Sequence, residues 1–487
     1  MNKLFIVKPF INTNKFDGLF ISSITDDSRD VQENSLFIAR QGVDSHGNEF
    51  IRDAAQKGAS CIITDQKLDE DVDIPIHCLD NLEEKIIEIL FSFYDLSEDD
   101  FIFHGVTGTN GKTTTAFMAH NIIRALKKPS VYIGTLGAII NDDLLETKGN
   151  TTPGIFEIFQ ILQTCKFQQE TYIFIEISSH ALAQKRLGKL PFSRTLLLNI
   201  QSDHLDYHKT DSNYINAKLS ITDLKNKNPT IIFVDKIQDL LKNFSDDQKK
   251  QLSKSQFLSS TDTSAALKYS LDYNPRGSSN IKLSFPNLCI DAKVSLFLKF
   301  NVENYISAIA LISDQISLDE FEIIRSNTIK LPQGRGEILR LREGNILIDF
   351  AHDHQSIQNI LSELANYHDE IVLVFGCGGD RDKSKRSKMM KVAQDFASKV
   401  FFTSDNNRHE SFASIAKDAM AGNSLTNIEI LEDRQEAISL ALQCLNKENI
   451  LVILGKGHET YMDVSGKKVP FNDKDCVLEI LGNETNQ

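Results

Sequence analysis

The run Gly105-Val-Thr-Gly-Thr-Asn-Gly-Lys-Thr-Thr-Thr115 carries the strongest chemical signal in the chain. Glycines let backbone N–H groups approach phosphate oxygens, Lys112 can reach the β/γ-phosphates, and the Thr113 hydroxyl can ligate Mg²⁺. Gly108, Thr109, Asn110, Gly111, Lys112, Thr113 and Thr114 are therefore expected to hold ATP. The position six before Lys112 is Val106, where the common phosphate-loop pattern has glycine. Glu176 ends the apolar run TYIFIEI, and a carboxylate at the tip of a parallel strand lies where ligands of such sheets bind. Opposite a phosphate loop it would hold Mg²⁺ directly or through water. Taken alone, a strand-end glutamate is more often a solvated cap. DHLDYH crowds Asp203, His204, Asp206 and His208 together, with His204 the expected ligand of a second Mg²⁺. A transition-metal site is the competing view, but no cysteine cluster or HExxH pattern accompanies it. Lys218 lies in NYINAKLSI, which reads as a helix, and an isolated helical lysine is ordinarily a solvated surface residue.

These residues need strands and helices to bring them together. FIFHGV reads as a strand before the loop, and a helix follows from about Thr113 to Leu126, with Ala116, Ala119, Ile122, Ile123 and Leu126 on one side. TYIFIEI and RTLLLNI are continuous apolar runs, as a sheet covered on both faces requires. The fold class expected is thus α/β, with a central doubly wound, P-loop ATPase-like parallel sheet over 99–332. Residues 1–98 alternate short apolar runs such as SLFIA and SCIIT with helical stretches, which predicts a small N-terminal α/β domain ending in an acidic linker. Between about 245 and 300 the chain is polar, and NIKLSF, NLCIDAKV and SLFLKF read as short strands of an antiparallel edge. After LPQGRGE, the runs NILIDFA, EIVLVFG, KVFFTS and NILVILG predict a C-terminal Rossmann-like α/β domain over 333–487.

A chain of 487 residues predicts about three domains. With 41% apolar and 25% charged residues it can bury several cores, and wholesale disorder is excluded. Lys plus Arg is 53 against 67 for Asp plus Glu, a net charge of −14, which disfavours a generic grip on nucleic acid or anionic lipid. No stretch approaches the ~18 apolar residues that span a bilayer, and the opening MNKLFIVKPFINTNKFDGLF lacks a small-residue cleavage site after a clean apolar core. A cytoplasmic protein without membrane insertion is expected. The seven cysteines are far apart and never paired as CxxC, so they read as buried thiols.

The TGTNGKTT form of the loop resembles the Mur ligase superfamily, and the resemblance runs over nearly the whole chain. It includes DSR at 27–29, LFIARQGVDSHG at 36–47, NTTPG at 150–154, EISSHAL at 176–182, DHLDYH at 203–208 and YINAK at 214–218. It continues through FNVENYISAIA at 300–310, GRGE at 334–337, DFAH at 349–352, FGCGGDRDKSKR at 375–386, DNNR at 405–408 and GKGHE at 455–459. The resemblance implies ATP- and Mg²⁺-dependent joining of a carboxylate to an amine through an acyl phosphate, carried out by a monomer on small molecules. Lys112, Glu176, His204 and Lys218 would be the catalytic set, with Thr113 joining the last three around metal. The family lysine that Lys218 matches is carbamylated, which turns a cation into a carboxylate. By the same resemblance, Ser28, Val43, Asp44, Ser45, Asn150, Thr151, Thr152, Ser178, Gln184 and Arg186 line a UDP-sugar peptide, while Asn304, Arg335 and Asp349 contact ATP.

The family members that use meso-2,6-diaminopimelate share a DNPR motif, and lysine-adding relatives lack its arginine. A guanidinium forks onto a carboxylate, and only diaminopimelate offers one at its far end. The resemblance therefore implies addition of meso-diaminopimelate to UDP-N-acetylmuramoyl-L-alanyl-D-glutamate, with Arg381, Asp405, Asn406, Asn407, Arg408, Gly455 and Glu459 around the amino acid. Asn407 stands in place of the motif's proline, Ser202 in place of an arginine before DHLDYH, and FAHDHQS in place of YAHTPD around His354 and Gln355. L-Lysine as the amine, a folylpolyglutamate synthetase-like ligase, and a nucleotide-hydrolysing switch without a second substrate are the alternatives.

Overall fold

A computed structural model describes residues 19–43, 45–67, 72–165, 169–275, 277–325, 329–423 and 426–484. Contact density divides it into two units, residues 1–112 with 122–258, and 113–121 with 259–487.

In the first unit the runs SLFIA and SCIIT become the strands Ser35–Ala39 and Ala59–Thr64. With Ser23–Thr25 and Ile76–Cys78 they form a four-stranded parallel sheet. The larger sheet is built on Phe101–Thr107, flanked by Thr171–Glu176 on one side and Phe192–Leu197 on the other, all parallel. Ser130–Gly134 extends it in parallel beyond Thr171–Glu176, while Ile231–Phe233 and Gln256–Ser259 extend it on the opposite side. The chain passes from Thr171–Glu176 across the central strand to Phe192–Leu197. This places a topological switch at the carboxyl end of Phe101–Thr107, where open α/β sheets bind ligands. Residues from the small sheet's side and from the large one share one apolar core, in which Phe91 meets Phe159 edge to face at 4.8 Å.

The second unit holds an antiparallel meander, Leu267–Asp272, Ser279–Phe285 and Leu288–Val294, as the alternating pattern of NIKLSF and NLCIDAKV requires. SLFLKF is not a strand. It forms the entry to the helix Lys299–Ile312: Leu296 and Leu298 are buried while Ser295 and Lys299 are exposed, and Leu298 O is taken by Asn301 N–H at 3.0 Å and Val302 N–H at 3.2 Å, which starts the helix in place of a strand ladder. The six-stranded sheet runs in the spatial order Arg335–Arg340, Asn345–Asp349, Asn449–Leu454, Glu370–Cys377, Lys399–Ser404, Ile428–Ile430, with only the first strand antiparallel. Separate apolar clusters cover its two faces, which explains the unbroken apolar runs. The carboxyl ends of its central strands deliver Asp349, Gly378, Asp405 and Gly455 to one edge.

Candidate active site

The phosphate loop leaves the sheet at Thr107 and re-enters regular structure as the helix Lys112–Ala125. Gly111 sits at φ +87°, in the left-handed region that side chains disfavour, and this lets the chain swing from strand to helix within four residues. Val106 is buried in the strand and paired with Glu176, so the position where the common motif bends at glycine is still sheet here. Neighbouring loops fix the turn. Thr109 N–H donates to Asn199 O at 3.2 Å, Asn110 N–H to Asn199 Oδ1 at 2.9 Å, and the Thr109 hydroxyl meets the Tyr214 hydroxyl at 2.8 Å. Lys112 Nζ donates to Gly108 O and Thr109 O, each at 2.9 Å, which lays its ammonium over the loop at the positive end of a helix. Thr113 and Thr114 are buried in the first turn of that helix.

Lys218 is not a solvated surface lysine. It lies in the last turn of Asp211–Leu219, is 1% exposed, and donates to Gly108 O at 2.8 Å and to Thr107 Oγ1 at 3.1 Å. Burial, reinforced by the Lys112 ammonium, holds its amine well below the ordinary lysine range.

Glu176 is fully buried rather than a solvated cap. Its carboxylate accepts from the Tyr132 hydroxyl, from Thr135 N–H at 2.9 Å and from Thr135 Oγ1 at 3.2 Å. A Cβ on Gly134 would lie 2.2 Å from Glu176 Oε1, so this close approach needs glycine. His204 precedes the short helix Leu205–His208 at φ +52°. Burial lowers its imidazole to about 4 despite Asp203 at 3.4 Å, and a ring that is neutral at neutral pH is available as a ligand.

Four of the expected sugar-substrate residues, Thr152, Ser178, Gln184 and Arg186, form a bonded chain beside Glu176. Thr152 Oγ1 donates to Glu176 O at 2.8 Å and accepts from Ser178 N–H at 2.9 Å. Ser178 caps the helix Ser179–Ala183. Arg186 donates to Thr152 O at 3.0 Å and to Gln184 Oε1 at 2.7 Å, and Gln184 in turn to the Tyr207 hydroxyl at 3.1 Å. Thr151 meets Thr135 at 3.4 Å, and Asn150 is exposed. In the small sheet, Ser28 is buried in a 3₁₀ turn, Val43 is exposed, and Ser45 O accepts from Gly42 N–H at 2.9 Å. Asp44 lies outside the described residues.

In the second unit, Asn304 is buried on Lys299–Ile312. Arg335 and Asp349 are cross-strand partners, and the Arg335 guanidinium lies 4.3 Å from the Phe350 ring centroid. Burial pushes the Asp349 carboxyl up, against the pull of Arg335. The three loops expected around the amino acid converge. Arg408, half-buried at φ +50°, donates from Nη1 to Gly379 O at 2.6 Å. Asn406 Nδ2 donates to Glu459 Oε2 at 2.8 Å. A Cβ on Gly455 would stand 2.8 Å from Asp405 Oδ2. Asn407 is buried and donates to Ser404 Oγ at 3.1 Å, whereas Arg381 is exposed on the loop after Glu370–Cys377.

Four supporting residues escape a reading of the sequence. Tyr132 and Thr135 hold Glu176, but Tyr132 looks like any apolar strand residue. Lys456 stands inside GKGHE, where a basic residue reads as exposed, yet it is fully buried. Arg434 has no motif around it; it is buried, pairs with Asp473 at 2.7 Å, and donates to Ser404 O at 3.3 Å and Leu454 O at 2.9 Å. It thereby ties together the ends of the two strands from which DNNR and GKGHE depart.

Three family models match in succession: "Mur ligase family, catalytic domain" over residues 20–86, "Mur ligase middle domain" over 106–312, and "Mur ligase, glutamate ligase domain" over 334–457. A Fusobacterium nucleatum subsp. nucleatum protein named UDP-N-acetylmuramoyl-L-alanyl-D-glutamate–2,6-diaminopimelate ligase is 34% identical, over 95% of this chain and 93% of its own length. A Bacillus cereus protein of the same name is 32% identical, over 96% of this chain and 95% of its own. A solved structure of a ligase with that name superposes with a TM-score of 0.67 at 27% identity, covering 97% of each chain. A Mycobacterium tuberculosis folylpolyglutamate synthase shares the fold at a TM-score of 0.58 and 16% identity, over 76% of this chain and 91% of that one. With a phosphate loop backed by a buried lysine, a second cluster of converging loops and these full-length likenesses, the chain belongs to the Mur ligase family of ATP-dependent, amide-forming ligases.

Proposed function

We propose that this protein adds meso-2,6-diaminopimelate to UDP-N-acetylmuramoyl-L-alanyl-D-glutamate, in the cytoplasm, as a step of peptidoglycan synthesis. The observation that carries this reading is the convergence of the loops at 378–381, 405–408 and 455–459, which puts the Arg408 guanidinium and the Glu459 carboxylate in one neighbourhood. A nucleotide switch has no need of such a second site. A folylpolyglutamate synthetase-like ligase is disfavoured because the likeness to that synthase leaves about a quarter of the chain uncovered, whereas the two ligase relatives cover at least 95% of it. Segments 1–98, 99–332 and 333–487 would then serve the UDP-substrate, ATP and the amino acid respectively.

In this reading the dipeptide's terminal carboxylate attacks the γ-phosphorus of ATP and ADP leaves; the free amine then attacks the acyl phosphate, expelling inorganic phosphate and losing a proton as the amide forms. Lys112 offsets the charge that builds on the transferring phosphoryl group. Glu176, Thr113 and a neutral His204 are the sparse, mainly oxygen donors that suit Mg²⁺, which keeps waters and phosphate oxygens in its shell. When bound, Mg²⁺ would screen the phosphate charges. Lys218, desolvated against the loop, has the weakly basic amine that carbamylation needs, and its carbamate would add an oxygen ligand. Asn304, Arg335 and Asp349 would bind the nucleotide; Thr152, Ser178, Gln184 and Arg186 the sugar peptide.

The test is phosphate release from ATP with the UDP-dipeptide and a panel of meso-diaminopimelate, L-lysine and L-ornithine. Release that needs both the dipeptide and diaminopimelate supports the proposal. Release that needs neither would refute it, and a preference for lysine would reassign the amine.

A further inference from the structure

Lys456 is a fully buried lysine that neither the phosphate chemistry nor the expected amino-acid contacts use. Its Nζ donates to Glu459 Oε2 at 2.8 Å and to Asn406 Oδ1 at 3.3 Å, and it stands 3.8 Å from Asp405 Oδ1. All three partners belong to the proposed amino-acid pocket. Because Asn406 Nδ2 bonds the same Glu459 oxygen, Lys456 and Asn406 together turn Oε2 inward. Among the described residues no hydrogen bond is made to Oε1, and the Glu459 side chain is 22% exposed.

The charges balance. Among the pocket's buried and half-buried side chains, Asp405 and Glu459 are two carboxylates and Lys456 and Arg408 two cations, while Arg381 stands exposed to solvent on its loop, where its charge is screened. Arg434 and Asp473 beneath them form a closed pair, and Asp463 turns its carboxylate to Gly466 N–H at 3.0 Å, in the turn between the antiparallel strands Tyr461–Val464 and Lys467–Pro470. A pocket with no net charge suits an amino acid with two ammonium groups and two carboxylates. One with two ammonium groups and a single carboxylate brings an extra positive charge. Without Lys456 the same pocket would carry one net negative charge and attract the cation.

We propose that Lys456 is a positioning and specificity-determining residue: it orients Glu459 and Asn406, and by neutralising one pocket carboxylate it favours a net-neutral diamino diacid over a cationic diamino monoacid. This rests on the amino-acid-pocket reading above. At contact distances in a partly dehydrated site, one unit charge is worth more than a factor of ten in affinity.

The experiment compares kcat/KM for meso-diaminopimelate and L-lysine in wild type, Lys456→Met and Lys456→Gln, with melting temperatures recorded alongside. Glutamine keeps a donor for Glu459 without the charge and serves where methionine fails to fold. The expected result is a shift of the lysine-to-diaminopimelate ratio by at least about tenfold, or ~1.4 kcal/mol, toward lysine. The double variant Lys456→Met/Glu459→Gln, which restores net neutrality, should bring the ratio back toward wild type. An equal fall for both amino acids would mean a structural lysine and overturn the proposal. A wild-type protein that uses neither amino acid would instead overturn the pocket reading.

Discussion

Replacing Lys218 by methionine removes the charge beneath the phosphate loop and keeps most of the side chain's volume. The buried amine gives up two hydrogen bonds, to Gly108 O and Thr107 Oγ1, but neither acceptor is stranded. Gly108 O still accepts from Lys112 Nζ at 2.9 Å, and the Thr107 hydroxyl still donates to Ile177 O at 2.6 Å. Exchanging buried charge for apolar volume gains about 1–4 kcal/mol where packing is kept, and two lost hydrogen bonds at ~1 kcal/mol each offset part of it. The net change near neutral pH is expected to lie between about 1 kcal/mol of destabilisation and about 2 kcal/mol of stabilisation, no more than a few degrees in melting temperature. The folded chain holds this amine well below its unfolded value, so the unfolded state binds the proton more readily. The wild type therefore loses stability as pH falls below ~10.4, until the folded amine also protonates. The stability of Lys218→Met relative to wild type should be lowest at strongly alkaline pH, rise as pH falls toward neutrality, and then level off. Melting curves across this range in carbon-dioxide-free buffer, where no carbamate forms, measure it. A variant less stable than wild type by more than about 1 kcal/mol at pH 7, or an offset that does not change with pH, would refute the argument. Ligation should be lost in the same variant.

Arg408→Ala should lower kcat/KM for meso-diaminopimelate by roughly thirtyfold, about 2 kcal/mol, the low end for truncating a charge partner because the residue is half-buried. Activity with lysine should hold or rise, since the guanidinium's hydrogen bond to Gly379 O needs no amino acid and the loss of one pocket cation favours the cationic amine; equal losses for both would disprove its role in selection. Gly134→Ala puts a Cβ 2.2 Å from Glu176 Oε1 and 2.5 Å from the Tyr132 hydroxyl, so ATP-dependent ligation should fall at least tenfold with the circular dichroism spectrum preserved. Near-normal turnover would show that the position of Glu176 is unimportant. Arg434→Met leaves Asp473 buried and unpaired and should cost about 3–5 kcal/mol, read as a lowered melting temperature that adding Asp473→Asn partly restores.

The phosphate loop was legible in the sequence because its chemistry is local: glycines, a lysine and hydroxyls needed consecutively on one strand–loop–helix unit. The α/β class and the doubly wound sheet were legible for a similar reason, since strands covered on both faces must be apolar throughout. Period alone misled at SLFLKF, where the alternation of buried Leu296 and Leu298 with exposed Ser295 and Lys299 serves a helix entry, the Leu298 carbonyl being taken by the helix's own N–H groups instead of a neighbouring strand. Glu176 and Lys218 show what the tertiary structure decided. Their residue types allowed a solvated cap and a surface lysine, and only burial against Tyr132 and Gly108, distant in the chain, changes what each group can do. Lys456 and Arg434 lie further from sequence reach. Burying a cation is tolerable only where carboxylates and carbonyls from separate strands meet it, and no stretch of sequence contains that meeting.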